Sequence, residues 1–212
     1  MRGMLLGLAV MVLGGVARGE VVITNLASET GTRTGNTSSG QFDFSGPSGA
    51  TLSSIQFKLF NSGSNLTAGT DFFFKVSFSG QSINYITPGA SLNAGATSSF
   101  TLDLTPFNYT TNGSNQVLAV FFTDGNGSSP NSINTLQFTT SSSAPTATSG
   151  WSFVATSPTA SGQNISFALS AVPEPGTLLL GGFAAACGGG GVWWRRKRKP
   201  QVAEVVESVT AV

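Results

Sequence analysis

Three carboxylates stand where turn residues meet apolar runs: Asp71 in "AGTDFFF", Asp103 in "TLDLT" and Asp124 in "FFTDGNG". Two such groups about 5 to 10 Å apart in a cleft could hydrolyse a glycosidic bond. The chain contains no His, which removes Ser-His-Asp and Cys-His arrangements, imidazole metal ligands and any base poised near neutral pH. Asp71 and Asp124 sit beside Gly and Thr, where Asp ordinarily closes a turn. "DGNGSS" at Asp124–Ser129 begins like an oxygen-ligand calcium loop but lacks the downstream bidentate Glu, so an Asp-Gly or Asn-Gly turn is the plainer reading. None of the Gly-rich stretches has the phosphate-loop pattern. Cys187, the single Cys, lies in an uncharged run with no His to activate it and reads as a packing residue. The expectation is no catalytic residue, no cofactor and no metal site.

The elements that would position those carboxylates are short strands. Period-2 alternation recurs along the body, and helical periodicity does not. Ile55, Phe57 and Leu59 share one side of "TLSSIQFKLFN", and Phe72, Phe74, Val76 and Phe78 share one side of "DFFFKVSFSG". Phe100, Leu102 and Leu104 repeat the pattern, as do Ile165, Phe167, Leu169 and Ala171. "NQVLAVFFTD" is apolar at every other position and also between them, which predicts a central strand covered on both faces. "VVITNL", "QFDF", "QSINYIT", "INTLQFTT" and "WSFVATS" add weaker strands. Separators such as "NSGSN", "TTNGSN" and "DGNGSSPN" are turn-rich. "SETGTRTGNTSSG" and "SSSAPTATSG" read as long surface loops suited to O-linked sugar. The expected fold is all-β: one antiparallel β-sandwich, jelly-roll-like, over residues 20–171.

Composition limits the class of partner. Only 9% of the 212 residues are charged, while 40% are hydrophobic and 16 are Phe, which is not the composition of a disordered chain. The net charge of +1 hides an asymmetry, because five of the ten basic residues are Arg195, Arg196, Lys197, Arg198 and Lys199. Between Glu20 and Ala171 six acidic residues face three basic ones. A mildly acidic body argues against nucleic acid as a partner.

Both ends read as addresses. Arg2, the apolar "MLLGLAVMVLGGV" and the small residues Ala17 and Gly19 make up a signal peptide over residues 1–19, with signal-peptidase cleavage after Gly19. Thr177–Trp194 is an uncharged span of 18 residues which, as a helix, extends about 27 Å and just crosses a bilayer core. Trp193 and Trp194 suit the interface, and Arg195–Lys199 suit the cytoplasmic side as stop-transfer cations. Residues 200–212 would then be a short cytoplasmic extension.

The order of these pieces resembles a known sorting tail. "VPEPGT", an uncharged span and "RRKRK", together residues 172–199, are similar to the PEP-CTERM signal, the substrate of bacterial exosortases. The resemblance implies that an exosortase recognises Pro173, Glu174, Pro175 and Gly176, cuts nearby and releases the body to the envelope exterior, often beside exopolysaccharide. Two prolines keep that backbone extended and unpaired, which suits a protease. Family tails generally stop after the basic run, whereas this chain continues with "PQVAEVVESVTAV". Through "SGATLSSIQFKLFNSGS" the body also resembles choice-of-anchor domains, which are β-rich surface modules. The implied protein is exported and non-enzymatic, passing from the inner membrane to the surface. It is processed by signal peptidase and exosortase and partnered by exopolysaccharide or other envelope proteins. A carbohydrate-active sandwich enzyme and a plain membrane-anchored surface protein are the alternatives.

Overall fold

A computed structural model of the chain describes residues 19–127 and 130–172. Thirteen strands form among them: β1 (Glu20–Thr24), β2 (Glu29–Arg33), β3 (Ser39–Ser45), β4 (Thr51–Asn61), β5 (Phe73–Phe78), β6 (Asn84–Ile86), β7 (Thr97–Asp103), β8 (Gln116–Thr123), β9 (Leu136–Ser141), β10 (Thr146–Ala147), β11 (Ser152–Ser157), β12 (Asn164–Ile165) and β13 (Phe167–Val172). The named strand pairs are all antiparallel.

Two sheets result. One has eight strands in the order β10-β1-β13-β4-β9-β12, with β2 pairing β9 and β7 pairing β4; the other runs β11-β3-β8-β5-β6. They face each other across one apolar core contained within Val22–Ala171. The period-2 residues supply that core: Ile55, Phe57 and Leu59 from β4 and Phe74, Val76 and Phe78 from β5 are fully buried. Phe57 of the larger sheet meets Phe74 of the smaller edge-to-face at 5.7 Å, and Phe74 meets Phe100 at 5.3 Å. Burying each such ring contributes about 1.5–3 kcal/mol, and edge-to-face contact adds to it.

Three expectations change. The stretch "SETGTRTGNTSSG" is not a loop throughout, since it contains β2 and the start of β3. β2 has no apolar face to reveal it; it is held by pairing with β9 and by Thr hydroxyls, Thr30 Oγ1 donating to Thr140 O and Thr140 Oγ1 to Thr32 O. "SSSAPTATSG" likewise contains the two-residue β10, which pairs with β1. β8 is central, as its composition predicts, but it is only partly covered on its second face, where Ala119 and Thr123 are buried. Leu118, Val120 and Phe122 are buried in the core, whereas Val117 is 37% exposed and Phe121 half-buried on the opposite face.

Candidate functional site

The residues singled out for processing fall largely outside the described residues. Ala17, Pro173, Glu174, Pro175, Gly176, Arg195, Arg196, Lys197, Arg198 and Lys199 all lie there, as do Cys187 and the span 177–194. Among the described residues no helix is long and apolar enough to cross a membrane. Gly19 is described, and it packs closely: a Cβ on it would stand 1.8 Å from Ser53 Oγ.

The carboxylates are engaged by their own turns. Asp103 Oδ1 accepts from Thr105 N at 2.9 Å and from Thr105 Oγ1 at 2.5 Å, an Asx turn that leads into the 3-10 turn Thr105–Phe107. Phe73 pairs with Thr123, which brings Asp71 and Asp124 to the same end of β5 and β8, where both are exposed. Asp71 accepts from Thr67 N at 3.4 Å. Asp124 clamps Asn131, accepting its backbone N–H at 2.7 Å and its side-chain amide at 2.8 Å, and these bonds hold its carboxyl below the usual carboxylate range. That clamp uses the oxygens a calcium ion would need, and no group of three or more acidic or thiol side chains converges among the described residues. A shallow concavity of 260 Å³ opens between the Ile86–Ala90 connection and β7. Its lining carries hydroxyls and no titratable group.

The outer faces of the two sheets differ in character. On the eight-stranded sheet several polar side chains pair with one another, although the buried Ser53, Thr139 and Ser166 hydroxyls have no partner. Gln56 Nε2 donates to Ser99 Oγ at 3.3 Å, Lys58 pairs with Glu29, Gln137 Nε2 donates to Asn36 Oδ1 at 2.7 Å, and the Arg33 guanidinium lies 3.6 Å over the Phe60 ring. On the five-stranded sheet they do not. With Phe74, Val76 and Phe78 in the core, alternation turns Lys75 and Ser77 outward. By the same rule Val117, Ala119 and Phe121 of β8, Gln41 and Asp43 of β3 and Tyr85 of β6 share that face. Lys75 lies between Tyr85 and Phe121 in register, its Nζ 5.5 Å from the Phe121 centroid, an arrangement in which ring and cation attract.

β6 is held in this position from inside. Asn84 Nδ2 donates to Tyr109 Oη at 2.8 Å, and the Tyr109 hydroxyl donates to Ser82 O at 3.0 Å. Burial pushes the Tyr109 hydroxyl pKa up, opposed by the Asn84 contact. With Asn84 fixed inward, Ile83 and Tyr85 on either side of it turn out.

Of the four exposed large aliphatics among the described residues, Val117 lies on β8 of this sheet, Val154 (48% exposed) at the bulge in β11 and Ile83 (54%) just before β6. Two charges stand among them without an ion-pair partner among the described residues. Lys75 has no carboxylate within ion-pair distance among the described residues, and Asp43 Oδ1 is buried with no hydrogen bond, so desolvation raises the Asp43 pKa. Exposed apolar side chains beside charges that lack an ion-pair partner are what a docking face presents. Sequence reasoning missed it because "NQVLAVFFTD" reads as buried on both sides. Comparison with family models, with curated proteins and with solved structures returned no match.

Proposed function

We propose that this chain is an exported, exosortase-processed cell-surface or extracellular-matrix protein, whose body is a non-catalytic, jelly-roll-like β-sandwich serving as a structural and binding module. The binding role rests on the outer face of the five-stranded sheet, which carries Phe121, Ile83, Val117 and Val154 together with Lys75 and Asp43, neither of which has an ion-pair partner among the described residues. The non-catalytic reading is supported by Asp71, Asp103 and Asp124, each of which is bonded within its own turn. The processing reading is supported by the resemblance of residues 172–199 to the sorting tail. On that reading signal peptidase cuts after Gly19, an exosortase cuts near Pro173–Gly176, and Arg195–Lys199 keep the tail's end cytoplasmic until then. The body is released into an exopolysaccharide-bearing envelope and docks there.

The test is retention in the native host. Phe121→Ser should move the mature protein from the surface or matrix fraction into the medium, while Gln56→Ala on the other face should leave its distribution unchanged. Equal retention of both variants, with both folded, would overturn the docking role of this face.

A further inference from the structure

Lys75 and Asp43, which have no ion-pair partner among the described residues, occupy related positions in the sheet lattice. Ala119 of β8 pairs with Ser77 of β5 on one side and with Gln41 of β3 on the other. Lys75 lies on β5 in the row of Phe121, two residues from Ala119 along the strand direction. Asp43 lies on β3 in the row of Val117, two residues from Ala119 the opposite way. Ala119 is therefore the midpoint of the diagonal from Lys75 to Asp43. Two strand spacings and four residues separate the ends, roughly 16 Å, so the two charges cannot meet within one chain.

We propose that this face is a self-complementary docking surface for a second copy of the chain, packed about a two-fold axis over Ala119 that joins Lys75 of each copy to Asp43 of the other. The inference rests on the docking role proposed above and names its partner.

The axis lies in the interface plane, across the Lys75–Asp43 diagonal. Rotation about it exchanges the two ends of the diagonal, so each cation of one copy lands on the anion of the other, and both pairs form at once. This is the requirement of an isologous contact. The axis passes over Ala119, a small side chain only 6% exposed, which adds no bulk between two sheets at face-to-face spacing. Phe121, Val117, Val154 and Ile83 lie around the axis as the apolar surface that pairing would cover. Five strands of about six residues present a footprint on the order of 500 Å². Two copies would thus bury on the order of 1,000 Å², the lower end of specific interfaces, which suits reversible assembly. On the opposite face Lys58 is already paired with Glu29 within the chain.

The experiment is sedimentation equilibrium of the mature exported protein, with Lys75→Asp, Asp43→Lys and an equimolar mixture of the two variants, circular dichroism confirming that each is folded. The wild-type protein should show a monomer–dimer equilibrium. Each single reversal sets like charges against each other at both sites and should weaken association by about tenfold or more. In the mixture opposite charges meet again at both sites, so a heterodimer should form. Singles that associate like the wild-type protein, or a mixture that stays monomeric, would overturn the proposal. A monomeric wild-type chain whose matrix retention still falls with Phe121→Ser would overturn the second copy as partner and leave the docking role standing. Unchanged retention in a monomeric chain would remove both.

Discussion

Gly40 lies beneath the ring of Phe138, so closely that a Cβ on it would stand 2.4 Å from Phe138 Cζ. The ring cannot withdraw, because it is fully buried against Phe42, Phe57 and Phe122. Gly40→Ala should therefore destabilise the protein by about 1–3 kcal/mol through overpacking. Unchanged thermal or urea unfolding would show that the two sheets are not in this contact.

Phe74 tests the core register directly. It touches Phe57, Phe72, Phe100 and Phe122, and it is fully buried. Phe74→Asp places an unpaired charge in that layer and should cost about 4 kcal/mol or more. A variant that melts with the parent contradicts the assigned inward face of β5.

Asn25 joins elements far apart in sequence. Its Nδ2 donates to Ile165 O at 3.0 Å and its Oδ1 accepts from Phe167 N at 2.8 Å, splinting the step from β12 to β13. Asn25→Ala would leave a buried donor and a buried acceptor without partners, a loss of about 2–4 kcal/mol by chemical denaturation. A loss within error of zero would mean the splint carries no stability.

Asp43 gives a pH dependence whose sign follows from burial. Burial raises its folded pKa above the ordinary carboxylate value of 3.8, so the native chain holds the proton more tightly than the unfolded chain. Its contribution to stability is then greatest below that value and is lost as pH rises through the raised folded pKa. At concentrations where the chain is monomeric, Asp43→Asn should raise the melting temperature at pH 7 and lose that advantage near pH 3. A variant less stable than the parent at pH 7 would show that the charged form is favoured in the fold.

Much of this architecture is legible in the sequence, because a strand with one face in an apolar core writes a period of two. β4, β5, β7 and β13 all do so, through Phe57, Phe74, Phe100 and Phe167. β2 and β10 do not, since they are short or polar on both sides and are defined by backbone pairing with distant partners. The open face was illegible for a different reason. Hydropathy records that Val117, Ala119 and Phe121 are apolar, but it cannot distinguish a strand buried on both sides from one whose second face awaits a partner. The placement of Lys75 and Asp43 about Ala119 depends on the register of three strands drawn from residues 39–123, and no local window contains it.

The most direct test of the account is the intact mass of the mature protein recovered from its native host. The account predicts a chain that begins at Glu20 and ends close to Gly176, found outside the inner membrane, and it predicts that Glu174→Ala leaves the longer chain in that membrane. A stable, surface-exposed wild-type protein that still carries "VVESVTAV" would contradict release by cleavage at Pro173–Gly176 and leave a permanent anchor in its place.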